Sequence, residues 1–372
     1  MPIVIREYAE EHVAAVGRLN ERLLAGGESL QFPLGATPVW LPKLPGRAVF
    51  QEYYVAVDEL GEIRGAYMLK HQDFWISNEV VSIADFHSPV SDGSVNKNYP
   101  QVGVQMLRDA IGRQPLLFGL GMGSQEEPLA RLLKVAGWSM FSMPFFFRVV
   151  HPTTFLRNIA ILRRRRSRRV ALDVLAASGL GWFGVHAVQA MYARGDRGDS
   201  TVAVEPVGEF SGWADELWNR CKGAYGMSAV RDAEALRILY PEADKKFLRL
   251  RISDRSGTIG WVVMLDTQMS NHKQFGDMRV GSIVDGFASM DAVGKVVGAA
   301  RDFLESRGVD LIVSNQSHKA WCRGLRMAGF LRGPTNFVFT SSPKLTRRLR
   351  EHGIGDDDLH LNRGDGDGPI NL

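Results

Sequence analysis

Two aspartates, Asp85 and Asp285, close matching apolar runs, "VVSIADF" and "VGSIVDG". A carboxylate at a strand end can take a proton directly or through a water, or it can orient an amine. The plainer role is to end the strand, accepting hydrogen bonds from the next turn of backbone. His87, two residues beyond Asp85, is a second candidate base, because imidazole titrates near neutrality. A histidine beside a strand also serves as an ordinary surface residue. Downstream of each aspartate, a glycine falls at an expected helix start. One set is Val102, Gly103 and Val104 in "PQVGVQ"; the other is Val293, Gly294 and Lys295 in "DAVGKVVGAA". Small residues at a helix N-terminus leave N–H groups open to a diphosphate, and the macrodipole adds attraction. The same glycines could instead let a helix pack closely on a strand.

Composition removes several other chemistries. Cys221 and Cys322 are the only two cysteines, and they lie far apart in the chain. Neither a zinc centre nor a disulfide framework is expected, no metal ligands are assigned, and a reducing cytoplasm fits. The opening "MPIVIREYAEEHV" carries acidic residues where an export signal needs a basic end and an apolar run. The net charge of +4 depends on "RRRRSRR", Arg163 to Arg169, whose six arginines outweigh it. The basic character is one patch rather than a property of the whole chain, so DNA is not expected as a partner.

At 372 residues the chain is long for one core and predicts two domains. Internal repetition supports this. "DELGEIRGAYML" matches "DRSGTIGWVVML", the two aspartate runs match each other, and "MGSQEEPLARLLKVAGW" matches "SNQSHKAWCRGLRMAGF". The order is the same in both halves, and the offsets drift only as loops allow. The domains are expected at 1–150 and 200–342, joined by a basic and apolar helical linker at 151–199. The polar, glycine-rich tail at 343–372 is expected to be disordered. Each half reads as strand, helix, three strands, helix, strand, helix, strand, with Gly61 and Gly257 in hairpin turns.

This order resembles the GNAT superfamily of acyl-CoA N-acyltransferases, an α/β fold on a mixed sheet, here in two tandem copies. The residues carrying the resemblance are the Asp-x-x-Gly hairpins, the helix starts "VGVQML" and "AVGKVVGAA", and the closing helices "LARLLKVAGW" and "WCRGLRMAGF". Asn315, at the end of the strand before the last of these, also fits the family pattern. The resemblance implies acetyl-CoA or another acyl-CoA as co-substrate, with Val102, Gly103, Val104, Val293, Gly294, Lys295 and Asn315 near it. It implies Asp285, Asp85 or His87 as the group that receives the amine proton. The phosphate loops depart from the family's full Arg/Gln-x-x-Gly-x-Gly/Ala pattern. Leu133 and Leu325 stand where many members place a proton-donating tyrosine, so Ser317, His318 or solvent would have to serve.

The leading expectation is a cytoplasmic N-acyltransferase, with an amino sugar of surface polysaccharide as one acceptor. An aminoacyl transferase of the Fem type would use aminoacyl-tRNA instead. A binding or scaffold protein of two degenerate folds is the reading from another class. The arginine run, followed by the apolar stretch with Trp182 and Phe183, suits peripheral contact with the inner face of a membrane. A linker helix packed on one domain, or nucleic acid, are the other readings.

Overall fold

In the computed structural model the described residues are 2–121, 123, 125–178, 180–192 and 202–366. They form two compact units. The first is Met1–Ser142 with Asn336–Gly355, and the second is Met143–Thr335 with Asp356–Leu372.

The first unit begins with β1 (Ile3–Glu7), α1 (Val13–Ala25), β2 (Phe50–Asp58), β3 (Ile63–Ile76) and β4 (Glu79–Ser91). It continues with α2 (Val102–Arg113), β5 (Leu117–Leu120), α3 (Pro128–Val135) and β6 (Ser139–Ser142). The second unit opens with β7 (Phe145–Val149), α4 (Pro152–Asn158), α5 (Arg166–Ala177) and α6 (Leu180–Tyr192). Then come β8 (Ala203–Pro206), α7 (Gly212–Cys221), β9 (Met227–Ala229), α8 (Ala233–Leu239), β10 (Leu248–Asp254) and β11 (Gly257–Gln268). β12 (Arg279–Ala288), α9 (Val293–Ser306), β13 (Leu311–Asn315), α10 (Lys319–Met327) and β14 (Leu331–Gly333) follow. β15 (Val338–Ser341) and α11 (Pro343–Glu351) return to the first unit, and β16 (Leu359–His360) lies in the second.

The two sheets share one topology. The first runs β1-β2-β3-β4-β5-β15-β6 and the second β8-β10-β11-β12-β13-β7-β14. In each, one parallel pair, β4 with β5 or β12 with β13, sits among antiparallel neighbours. The order of elements read in the two halves of the sequence thus corresponds to two sheet paths of matching strand order.

One pair of strands is exchanged. β7, the expected end of the first half, pairs with β13 and β14 in the second sheet. β15, the expected end of the second half, pairs with β5 and β6 in the first. The expected boundaries at 150 and 342 therefore move, because "FFFRVV" and "NFVFT" are apolar β-branched or aromatic strands that suit either slot. The segment 151–199 is not a free linker over its described part. Phe155, Leu156, Ile159 and Ala176 pack with Val280, Leu311 and Val313 in the second unit's core. The tail is ordered over its described part too. Ser342 caps α11 by accepting from Leu345 N, and Asn362 and Asp365 form a reciprocal capping box. Glycines there serve turns rather than disorder. Residues 367–372 lie outside the described part.

Local chemistry explains the shared elements. Asp58 Oδ1 accepts from the Leu60 and Glu62 amides, and Gly61 takes a φ of 78° to close the β2–β3 hairpin. Gly137 and Gly329, at φ 80° and 81°, end α3 and α10. There the amides of Trp138 and Phe330 reach back to Leu133 and Leu325 carbonyls, each at 3.0 Å, the six-to-one closure of a helix C-terminus. On the first sheet, α1 packs over one face with Tyr53, Val55, Ala66 and Met68. α2 packs over the other with Tyr67, Leu69, Ala84 and Phe86.

The strand exchange predicts where damage appears. Phe339, buried in β15 between Phe118 and Phe141, should cost about 3–5 kcal/mol when changed to alanine. Hydrogen exchange should rise in β5 and β6. A rise confined to β13 and β14 would contradict the topology.

Candidate functional site

Both sheets open where the parallel strands part. β12 and β13 pair from Val280 with Leu311 to Ile283 with Ser314, then diverge. The chain's own residues fill this opening. Ser317 N donates to Leu361 O at 3.1 Å, and Leu361 N to Ser317 Oγ at 2.8 Å. Gln316 bridges to Asn362, and His360 Nε2 lies 2.8 Å from Gly286 O. The segment thus bonds to β12 on one side and to the extension of β13 on the other. From α10, Trp321 presses on Gly286 so closely that an added Cβ there would meet its ring at 2.7 Å.

Asp285 is the centre of this filling. Its Oδ1 accepts from Arg231 Nε at 2.9 Å, Asn362 Nδ2 at 2.7 Å and the Gly286 amide at 2.7 Å. Its Oδ2 accepts from the Tyr240 hydroxyl at 2.7 Å. Arg231 Nη2 reaches Asp365 at 2.8 Å, and Arg231, Asp285 and Asp365 are all fully buried. Burial works against the charge on Arg231, yet Asp285 and Asp365 hold its pKa above the usual range. Burial, then Asp285, raises Tyr240 well above an ordinary phenol, so it stays a donor. Three donors crowd Oδ1 and the Tyr240 hydroxyl takes Oδ2, so the carboxylate is committed to the chain's own groups. Asp285 is therefore an anchor for the tail rather than an available base.

The first unit differs. β4 and β5 pair only at Ala84 with Leu117 and Asp85 with Phe118. Among the described residues, no other strand bridges β4 and β5 beyond Asp85. Asp85 is fully buried, and its Oδ2 lies 3.3 Å from Nδ1 of His87, whose side chain is 12% exposed. Lys70 stands directly opposite Asp85 on β3, Gln51 opposite Lys70 on β2, and all three are buried. The Lys70 ammonium also lies 5.2 Å from the Trp40 ring centroid. Just past His87, the β3–β4 register shifts, and Ser88 takes a φ of 44°. A bulge with a left-handed non-glycine re-aims the strand where the sheet opens. This half thus brings together a carboxylate, an imidazole and a cation on one face.

The helix starts also diverge. Close approach of helix to strand is supplied by Gly65 and Gly260, where an added Cβ would meet Val102 at 2.8 Å or Val296 at 2.5 Å. Gly103 has no such duty, because a Cβ there would meet only Leu132, at 3.5 Å. No side chain caps α2 at Gln101. Val102 N is taken by Tyr99 O at 3.2 Å, which leaves the Gly103 and Val104 amides as the candidates for an anion. In the second unit, Gly294 lies against α10. A Cβ on Gly324 would come within 3.1 Å of Val293 and 3.6 Å of the Gly294 Cα. Helix packing explains Gly294, and Lys295 is half-buried on the same turn. Asn315 is buried at the end of β13, paired with Phe145 of β7.

Leu133 and Leu325 are both fully buried and can donate no proton. Ser317 is engaged by the backbone of Leu359 and Leu361. Burial lowers the His318 pKa to about 4, so it is neutral and not a proton donor at pH 7. Arg231, Tyr240, Asn362 and Asp365 were not singled out in the sequence, where they are scattered over 135 positions. The only hint was the "NRGDGDG" turn chemistry. Lys70 had a clearer signal, a lysine inside the apolar strand "AYMLKHQ".

Two outcomes follow from these geometries. Asp285→Ala should cost about 3–5 kcal/mol, because it removes one partner of a buried pair, and should expose 359–366 to proteolysis. His318 has a folded pKa near 4, below its ordinary 6.5, so the unfolded chain takes up the proton first. Its contribution to stability is complete above pH 6.5 and is lost as pH falls towards 4. His360, held well below its ordinary value by burial and then by Arg231, acts in the same direction. The urea midpoint should fall across that window, and less steeply in His318→Gln.

No protein-family model and no curated protein matches the sequence. Solved structures do match it. Saccharomyces cerevisiae N-myristoyltransferase with bound myristoyl-CoA superposes with a TM-score of 0.52 at 9% identity, over 92% of this chain and 79% of that one. A GCN5-related N-acetyltransferase from Anabaena variabilis gives 0.50 at 12% identity, over 91% and 72%. Identity this low speaks to fold alone. The mixed α/β sheets, the strand order and the superposition agree: this chain has the GNAT acyltransferase fold shared by GCN5-related N-acetyltransferases and N-myristoyltransferases.

Proposed function

We propose that the protein is an acyl-CoA-dependent N-acyltransferase whose working site is the β4–β5 opening of the first unit. The observation that carries this reading is the Asp85–His87 pair, 3.3 Å apart, standing where the two parallel strands part. The second unit's opening is closed by residues 359–366, which disfavours a second working site there.

In this reading the acyl-CoA diphosphate rests on the Gly103 and Val104 amides, and the thioester reaches into the strand opening. A primary amine attacks the thioester carbonyl, forming the C–N bond. His87 takes the amine proton on Nε2 while Asp85 holds Nδ1, which fixes the tautomer. Collapse breaks the C–S bond. The CoA thiolate, a fair leaving group, takes its proton from solvent or from the imidazolium. Lys70 stands directly opposite Asp85 on β3. The amine is left as a class, with amino sugars among those to try.

Calorimetry with acetyl-CoA and longer acyl-CoAs, followed by thiol release with a panel of amines, tests this. His87→Gln should bind acyl-CoA normally but turn over about 10²–10⁴-fold more slowly, the usual worth of a general base. Gly103→Trp should abolish binding, whereas Lys295→Ala in the second unit should leave it unchanged. Absence of heat with every acyl-CoA would favour a non-catalytic scaffold, which the buried Leu133 and Leu325 would also suit.

A further inference from the structure

The least satisfied surface among the described residues is the helical pair α5 and α6. One side of each helix is committed to the second unit. Leu172, Ala176 and Val185 pack with its core, and Gln189 accepts from Val149 N at 2.8 Å and donates to Val149 O at 3.1 Å. The other side is apolar and open. Val170 and Val174 are exposed on α5, and Leu180, Trp182, Phe183, Val188 and Met191 on α6, with Phe183 67% exposed. A helix apolar all round is normally buried on all sides. This one is covered on one side only.

Basic residues precede α5 and fill its first turn, where Arg166 continues the row of Val170 and Val174 at four-residue spacing. Arg164, Arg165, Arg166, Arg168 and Arg169 are all exposed. Among the described residues, none of the five forms a salt bridge, although Arg169 lies close enough to Asp173 to help lower its pKa. The carboxylate within α5, Asp173, is held by Arg163 at 2.7 and 3.1 Å. Trp182 stacks on His186 with centroids 4.3 Å apart and meets Phe183 edge-on at 5.0 Å, forming an aromatic cluster. Aromatic and aliphatic groups on the same helical pair as a run of exposed cations complement a surface that is apolar beneath and anionic on top.

We propose that the outer face of α5 and α6 docks on an anionic lipid bilayer, with Trp182 and Phe183 entering the headgroup boundary and the five arginines on lipid phosphates and carboxylates. The helices lie on the membrane and do not cross it. No single described helix is long and apolar enough to span, and the pair is bent by 87° at its break. The 12 residues of α5 extend only about 18 Å, against about 30 Å of hydrocarbon. Their inner faces are already committed to the protein core.

Co-sedimentation of the full chain with vesicles tests this, comparing phosphatidylcholine alone with phosphatidylcholine mixed with phosphatidylserine. Binding to the mixed vesicles should be strong, and raised salt should weaken it, since screening shortens to about 3 Å at 1 M. Arg165→Glu with Arg168→Glu should reduce partitioning by about tenfold or more. Trp182→Ser with Phe183→Ser should reduce it comparably, and both double variants should keep the parent melting temperature because all four side chains are exposed. Equal binding to neutral vesicles, or none to either, would overturn the proposal. So would a concentration-dependent dimer abolished by the Trp182 and Phe183 changes, or tight RNA binding with no affinity for vesicles.

Discussion

Both sheet openings depend on one feature, a parallel strand pair held among antiparallel neighbours. β4 pairs with β5 only at Ala84 and Asp85, and β12 with β13 only from Val280 to Ile283, so each parallel pair parts partway along its strands. Past that point each strand presents backbone groups that must find other partners. The second unit meets this demand internally, with Leu359–Gly366 bonded across the opening and Asp285 fixing it through Arg231. The first unit places an ionic and imidazole pair at the same point instead. The same position thus differs between the two units, filled by a segment of the chain in the second and marked by the Asp85–His87 contact in the first.

The glycines divide along the same line. Gly65 and Gly260 do equivalent work, letting α2 and α9 sit on their sheets. Gly103 and Gly294 do not, because α10 presses against the N-terminus of α9 while α2 meets α3 at Gly103 only at ordinary contact distance. A duplicated fold can lose access at one copy through such small steps, a tryptophan on a strand and a glycine at a helix crossing. The acyl-CoA reading of the first unit gains from this asymmetry, since the second copy spends the same positions on packing.

The exchange of β7 and β15 shows how far local pattern carries. Each is a short apolar strand flanked by turns, and its alternation suits a slot between two antiparallel partners in either sheet. Which slot it takes depends on loop reach and on the partner strands, neither of which is written in the strand itself. The tail poses the same difficulty. Its glycines and aspartates have the composition of a disordered segment, yet Asn362 and Asp365 close a capping box and meet Arg231.

The repeated pattern, the order of elements, the hairpin and helix-end glycines, and the resemblance to acyl-CoA transferases were all legible in the residues alone. These are local properties, set by φ preferences, side-chain period and turn chemistry, and the paired segments repeated them in order. Tertiary structure decided the rest. It turned Asp285 into a buried anchor by bringing Arg231, Tyr240 and Asn362 to it from distant positions. It left Asp85 beside His87 and Lys70 at an opening, and it exposed the apolar side of α5 and α6 next to the arginines. Each of these outcomes depends on which segments meet in space. One chain records the residues that meet but not the meeting.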